Sequence, residues 1–172
     1  MNTQKIILSE ILIVAFLFYP KAAYNISPLS FGEGTGVGCH FLSIFSHANI
    51  FHLLGNLLCI WLIKCKFRLL PALAVSFVCS FLPQWSLWGS ADAACGFSGV
   101  LFAVVGMAWG EVHRFKDMVR KCVIPLVICG LFPNVNIFIH LYCLLLGYAF
   151  QSVMCSPKAI LHSSLFTLHS SL

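Results

Sequence analysis

With 172 residues, 60% of them hydrophobic and only 9% charged, the chain carries far less charge than the about 25% of an ordinary soluble domain. That balance excludes a soluble globular protein and predicts an all-α polytopic membrane protein. The formal net charge is +5, but the basic residues sit in short connections between apolar runs and form no patch interleaved with aromatics, so nucleic-acid binding is excluded.

The first apolar run, Ile6–Tyr19, follows Lys5 and stops at Pro20-Lys21. Its layout resembles a signal peptide, yet no clear Ala-x-Ala site follows, so a retained first helix is expected. Glu10 lies near the cytoplasmic end of that helix and is assigned no role. Lys21–Ser43 is rich in Gly, Ser and Pro with scattered Phe and Leu, the pattern of a loop lying on the bilayer surface. Its Asn25-Ile26-Ser27 matches a glycosylation sequon, but Pro28 follows and the match is read as incidental.

A second helix is expected over Ile50–Ile63, closed by Lys64, Lys66 and Arg68, and a third over Leu69–Pro83, with Trp85 and Trp88 after it as an interfacial belt. The fourth covers Phe97–Gly110 and leads into Glu111, Arg114, Lys116, Asp117, Arg120 and Lys121. The fifth covers Cys122–Phe132, with Pro125 near its start. After a turn at Pro133-Asn134 the sixth occupies Asn136–Met154. Several of these runs fall short of the roughly 20 residues of a full crossing, which implies extension into the flanks or a locally thinned bilayer. The remainder is polar enough to stay out and is expected to be mostly disordered. The expected organisation is therefore one membrane domain over 1–155 and a short cytoplasmic tail over 156–172. Of nine cysteines, most lie inside apolar runs and none form a C-x-x-C pair. Cys39 and Cys95 fall in loops and can pair only in an oxidising compartment.

Orientation follows from the basic residues. Six helices place Lys5, Lys64, Lys66, Arg68, Arg114, Lys116, Arg120, Lys121 and Lys158 on one side and Lys21 alone on the other. The positive-inside rule then puts both termini in the cytoplasm. The second, fourth and sixth helices all begin at the outer face, and their first turns hold His47, His52 and Asn56, then Ser98, then Asn134, Asn136 and His140. Polar side chains in a bilayer are costly, and here they share one depth.

Each has a plain structural use beside a chemical one. Gly96-Phe97-Ser98-Gly99 marks either close helix packing through small residues or a serine exposed at a loop-to-helix turn, as nucleophiles require. His52 and Asn56 lie one turn apart and offer N–H donors, either to a neighbouring helix or to an oxyanion. His140 is either an interhelical hydrogen bonder or a base for Ser98. His47 is read as a supporting residue. No carboxylate accompanies His40, His47, His52 and His140, and His47 and His52 point about 140° apart on a helix, so neither a metal nor another cofactor is expected.

Ser46-His47-Ala48-Asn49-Ile50-Phe51-His52-Leu53-Leu54-Gly55-Asn56, then Gly96-Phe97-Ser98-Gly99 with Ala103 and Gly106, then His140 with Gly147, together resemble the rhomboid intramembrane serine proteases. The order and placement of these groups carry the resemblance, which spans Lys5–Cys155. It implies a six-transmembrane-helix rhomboid-like bundle and a catalytic dyad of Ser98 and His140 with no acidic third member. Asp92, in an external loop, is left out. His52, Asn56 and the Ser98 N–H are the implied oxyanion hole. His47, Gly96, Gly99 and Gly147 support it, with Gly106 and Gly110 letting the fourth and sixth helices approach. The implied partners are the lipid bilayer and transmembrane protein substrates, admitted by movement of the fifth helix and the Phe132–Asn136 cap. The expected place is a bacterial plasma membrane with the site toward its outer side. Three departures stand out. Cys143 replaces the usual glycine and implies a looser contact between the fourth and sixth helices, Phe97 replaces a small residue, and the first loop is short and lacks a Trp-Arg pair. A non-catalytic escort of membrane proteins is the alternative, and a small transporter using the His and Asn side chains is a weaker third.

Overall fold

In the computed structural model, residues 3–18, 35–83, 85–86, 89–90, 95–131 and 135–155 are described. Asn25, Asp92, Trp88, most of the first loop, the 132–134 part of the cap and the 156–172 tail lie outside them. The apolar runs form helices α1 (Thr3–Phe18), α2 (Val37–Leu42), α3 (Ile50–Leu62), α4 (Leu69–Cys79), α5 (Ser98–Glu111), α6 (Phe115–Leu131) and α7 (Ile137–Met154). Between α4 and α5, strand β1 (Trp85–Ser86) pairs antiparallel with β2 (Gly89–Ser90), a small departure from the purely helical expectation.

Helix starts at the site end are fixed by asparagine caps. Asn49 Oδ1 accepts the His52 N–H at 2.9 Å, and Asn136 Oδ1 accepts the Phe138 and Ile139 N–H groups at 3.0 and 3.3 Å. An uncapped first turn would leave donors without partners, which an apolar medium makes expensive.

Three elements differ from the expected boundaries. Helix α2 lies within the stretch expected to be loop. Helix α4 stops at Cys79 because the Ser80 hydroxyl caps the Phe77 carbonyl at 2.6 Å and Pro83 disfavours helical backbone before it. Helix α6 begins at Phe115, seven residues before the apolar run does. Its first turns are amphipathic: Arg114 pairs with Asp117 at 2.7 Å, Lys116 and Arg120 face outward, and Met118, Cys122 and Leu126 are buried at four-residue intervals.

Helix α5 is the centre. Gly99, Val100, Leu101, Ala103, Val104, Gly106, Met107 and Gly110 are all buried, so nearly every face of it is covered. Its most extensive partner is α7. A side chain on Gly106 would collide with the Leu144 carbonyl and lie 2.9 Å from the Tyr148 nitrogen, and one on Gly147 would lie 2.5 Å from the Ala103 carbonyl oxygen. These two glycines bring the backbones together. Cys143 does not loosen the contact: it is fully buried in the core against Gly99. Helix α1 packs on α3 through Leu8, Leu12 and Phe16. Helix α6 packs through a separate cluster of Met118, Cys122, Leu126 and Leu144 under Phe102, Val105 and Trp109.

Outside, the helices present large apolar side chains such as Phe51 at 81% exposure and Leu70 at 79%. Soluble monomers rarely expose apolar side chains this broadly, and lipid is the medium that matches such a surface. Among the described residues α7 alone is both long and apolar enough to cross a membrane by length and composition, while α3, α4 and α5 are apolar but shorter.

Candidate active site

Ser98 is the first residue of α5, and the three residues before it are tied to the segment that leads into α3. Gly96 has φ +118°, in the left-handed region that favours glycine. Its N–H donates to the Ser43 carbonyl at 2.8 Å. A side chain there would also lie 2.7 Å from His52 Nε2, so glycine meets two demands at once: backbone conformation and close approach of an imidazole. Phe97 is fully buried with its ring 6.3 Å from that of Phe45, so the large residue at this position is accommodated in the core. Cys95 sits against Ser46 and Ala48, and burial pushes its thiol up to about 11. Cys39 and Cys95 are both free thiols.

On α7, His140 lies in the first turn above the Asn136 cap. Its Nε2 is 2.7 Å from Ser98 Oγ, and its ring stacks on Phe102 at 4.7 Å with an interplanar angle of 19°. His140 is buried, and its Nδ1 has no hydrogen-bond partner among the described residues. Gly99, next to Ser98, faces α4 and α7: a side chain there would be 2.8 Å from Ser76 Oγ and 3.3 Å from Cys143 Sγ. Thus the α5–α7 contact that the glycines permit is the same contact that brings hydroxyl and imidazole together, two groups 42 residues apart in the chain.

The α3 side supplies the other polar groups. The His52 ring lies against Gly96 and edge-on to His47, with centroids 5.1 Å apart. His47, in the connection before α3, donates from Nδ1 to the Phe45 carbonyl at 3.2 Å. Burial, reinforced by the neighbouring His52, lowers it to about 3, so it is neutral at ordinary pH. Asn56, one turn beyond His52 on α3, is buried, and its Nδ2 has no acceptor among the described residues. A hydroxyl within hydrogen-bond reach of an imidazole is the pairing that acyl transfer uses.

Three contributors escape a reading of the sequence alone. Phe102, four residues after Ser98, forms the floor under His140, and its position one turn along the helix was the available signal. Asn49 fixes the turn that carries His52. Ser43 holds Gly96 through its backbone carbonyl, which no side-chain pattern can reveal. Among the described residues no three His, Cys, Asp or Glu side chains gather to hold a metal.

No curated protein sequence matches the chain. The family model for the Rhomboid domain matches residues 37–157, which takes in α2 to α7 and every site residue named above. That span is well over half of the 172 residues, and it runs through the Ser98–His140 contact and the α5–α7 packing that makes it. The chain belongs to the rhomboid family, whose members are integral membrane proteins and generally intramembrane serine proteases.

Proposed function

We propose that this chain is an intramembrane serine endopeptidase that cuts transmembrane segments of other membrane proteins near their outer end. The observation that carries the reading is the 2.7 Å contact between Ser98 Oγ and His140 Nε2. In the proposed reaction Nε2 accepts the hydroxyl proton as Ser98 attacks the peptide carbonyl, with the ring's own proton on Nδ1. The tetrahedral oxyanion takes hydrogen bonds from the Ser98 N–H, Asn56 and His52. The Ser98 N–H is one of the first-turn donors of α5 that have no intrahelical acceptor, and the positive end of that helix favours an anion. Each such donor is worth about 3 kcal/mol of barrier. His140 returns the proton to the leaving amine, and a water activated by the same imidazole then releases the acyl group.

The same reading gives six crossings by α1 and α3 to α7, both termini on the cytoplasmic side, and a site reached by water from outside. A substrate helix must unwind locally to present an extended bond, so small or helix-breaking residues are expected at the cut. Its transmembrane segments and the surrounding bilayer are then the partners. The test is cleavage of a reporter transmembrane segment by the purified chain in vesicles. Product from the unaltered chain and none from Ser98→Ala or His140→Ala supports the protease. Capture of the segment without cleavage by the unaltered chain, at equal folding, supports the non-catalytic escort instead.

A further inference from the structure

A shallow apolar groove of about 340 Å³ opens between the end of α3 and the last turns of α5. Ile63, Lys64 and Cys65 form one wall, and Val105, Trp109 and Val112 form the other. It is remote from the hydroxyl–imidazole pair: Trp109 lies eleven residues along α5 from Ser98, about 16 Å at 1.5 Å per residue. Nothing in the proteolytic reading uses it.

Its rim is charged in a particular way. Lys64 is part of the lining, and Lys121 of α6 places its ammonium 5.2 Å from the centre of the Trp109 ring. The two carboxylates at this end of the bundle are already matched, Glu111 by Arg68 at 3.2 Å and Asp117 by Arg114 at 2.7 Å. Lys64 and Lys121 make no ion pair among the described residues. An apolar slot walled by a tryptophan, with one unmatched ammonium in its lining and a second over that tryptophan's ring, complements an amphiphile with a hydrocarbon chain and a negative head. A zwitterionic headgroup carries its own cation, which competes with the lysines and weakens the match.

We propose that this groove binds one anionic phospholipid, its acyl chain against Val105, Trp109 and Val112 and its phosphate held by Lys64 and Lys121. A phosphate held by those two side chains bridges the α3 end to α6.

The test uses the full chain with Trp61→Phe, Trp85→Phe and Trp88→Phe, which leaves Trp109 as the sole tryptophan, in vesicles of unlabelled phosphatidylcholine. Brominated phosphatidylglycerol should quench Trp109 several-fold more than the same mole fraction of brominated phosphatidylcholine. Adding Lys64→Gln and Lys121→Gln should bring the two to equality. Equal quenching before the lysines are changed overturns the proposal, as does a preference that survives their loss. Protection of Trp109 by an added transmembrane peptide, with neither lipid preferred, overturns it in favour of a peptide groove. Should the substituted chain fail to fold, mass spectrometry of the intact unaltered protein decides: one phosphatidylglycerol retained ahead of phosphatidylcholine is the expected result, and equal retention contradicts it.

Discussion

A buried amide N–H with nothing to bond costs about 1–3 kcal/mol, and Asn56 carries one at 5% exposure. If that donor waits for an oxyanion, Asn56→Ala should lower kcat by about 10²–10³-fold while the thermal midpoint holds or rises, since an unsatisfied group has been removed. Parallel loss of stability and activity would instead make Asn56 a packing residue. His47 offers a second check at this scale. Its folded value of about 3 lies below the ordinary 6.5, so the unfolded chain takes up the proton first. The stabilisation by its neutral ring is complete above pH 6.5 and is lost as the pH falls from there toward 3. Thermal midpoints in detergent should decline on acidification below 6.5, and more gently in His47→Gln; identical slopes in the two proteins would contradict that origin. Single residues were also where the sequence was most legible. Ser98, His140, His52 and Asn56 are polar in apolar runs, so each stands out. Phe102 does not, because an aromatic in an apolar helix looks the same whether it faces lipid, core or an imidazole.

Between elements, the glycines separate contact from mere presence. A methyl on Gly106 would meet the Leu144 carbonyl and Tyr148 nitrogen of α7, whereas one on Gly55 of α3 would meet nothing within 4 Å. Parting α5 from α7 by an ångström moves Ser98 from His140, and a misplacement of that size costs on the order of 100-fold in rate. Gly106→Ala should therefore lower both kcat and the thermal midpoint, while Gly55→Ala should leave activity unchanged and raise the midpoint slightly through better helix propensity. Equal effects from the two would remove the α5–α7 approach as the cause. Every described helix but the short α2 was readable from hydropathy, but boundaries were not wherever polarity and helicity diverge. The first two turns of α6 are helical because Met118 and Cys122 are buried four apart and Asp117 sits at the positive helix end, although Lys116, Arg120 and Lys121 give the stretch the composition of a loop. The expectation of a loose contact at Cys143 failed for a related reason: the closeness of two helices is set by Gly106 and Gly147 together, not by any one position.

For the whole molecule, the spread of exposed Phe, Leu, Ile and Val around the bundle and the gathering of Lys and Arg in a few connections argue for one orientation in the bilayer. Single-cysteine versions retaining Cys39 or Cys155 test it. Both thiols are half-buried. An impermeant maleimide should label Cys39 in intact cells and Cys155 only after permeabilisation, and the reverse pattern would contradict the proposed topology. The inference of greatest consequence is chemical, and it has a direct probe. A fluorophosphonate reacts with a serine whose hydroxyl is activated by a neighbouring base. Incubated with the folded chain in mild detergent, it should attach covalently to Ser98, located by peptide mass, and should fail to label Ser98→Ala or His140→Ala. Absence of label on the unaltered, folded chain, or attachment that persists without His140, would contradict an activated serine at this site.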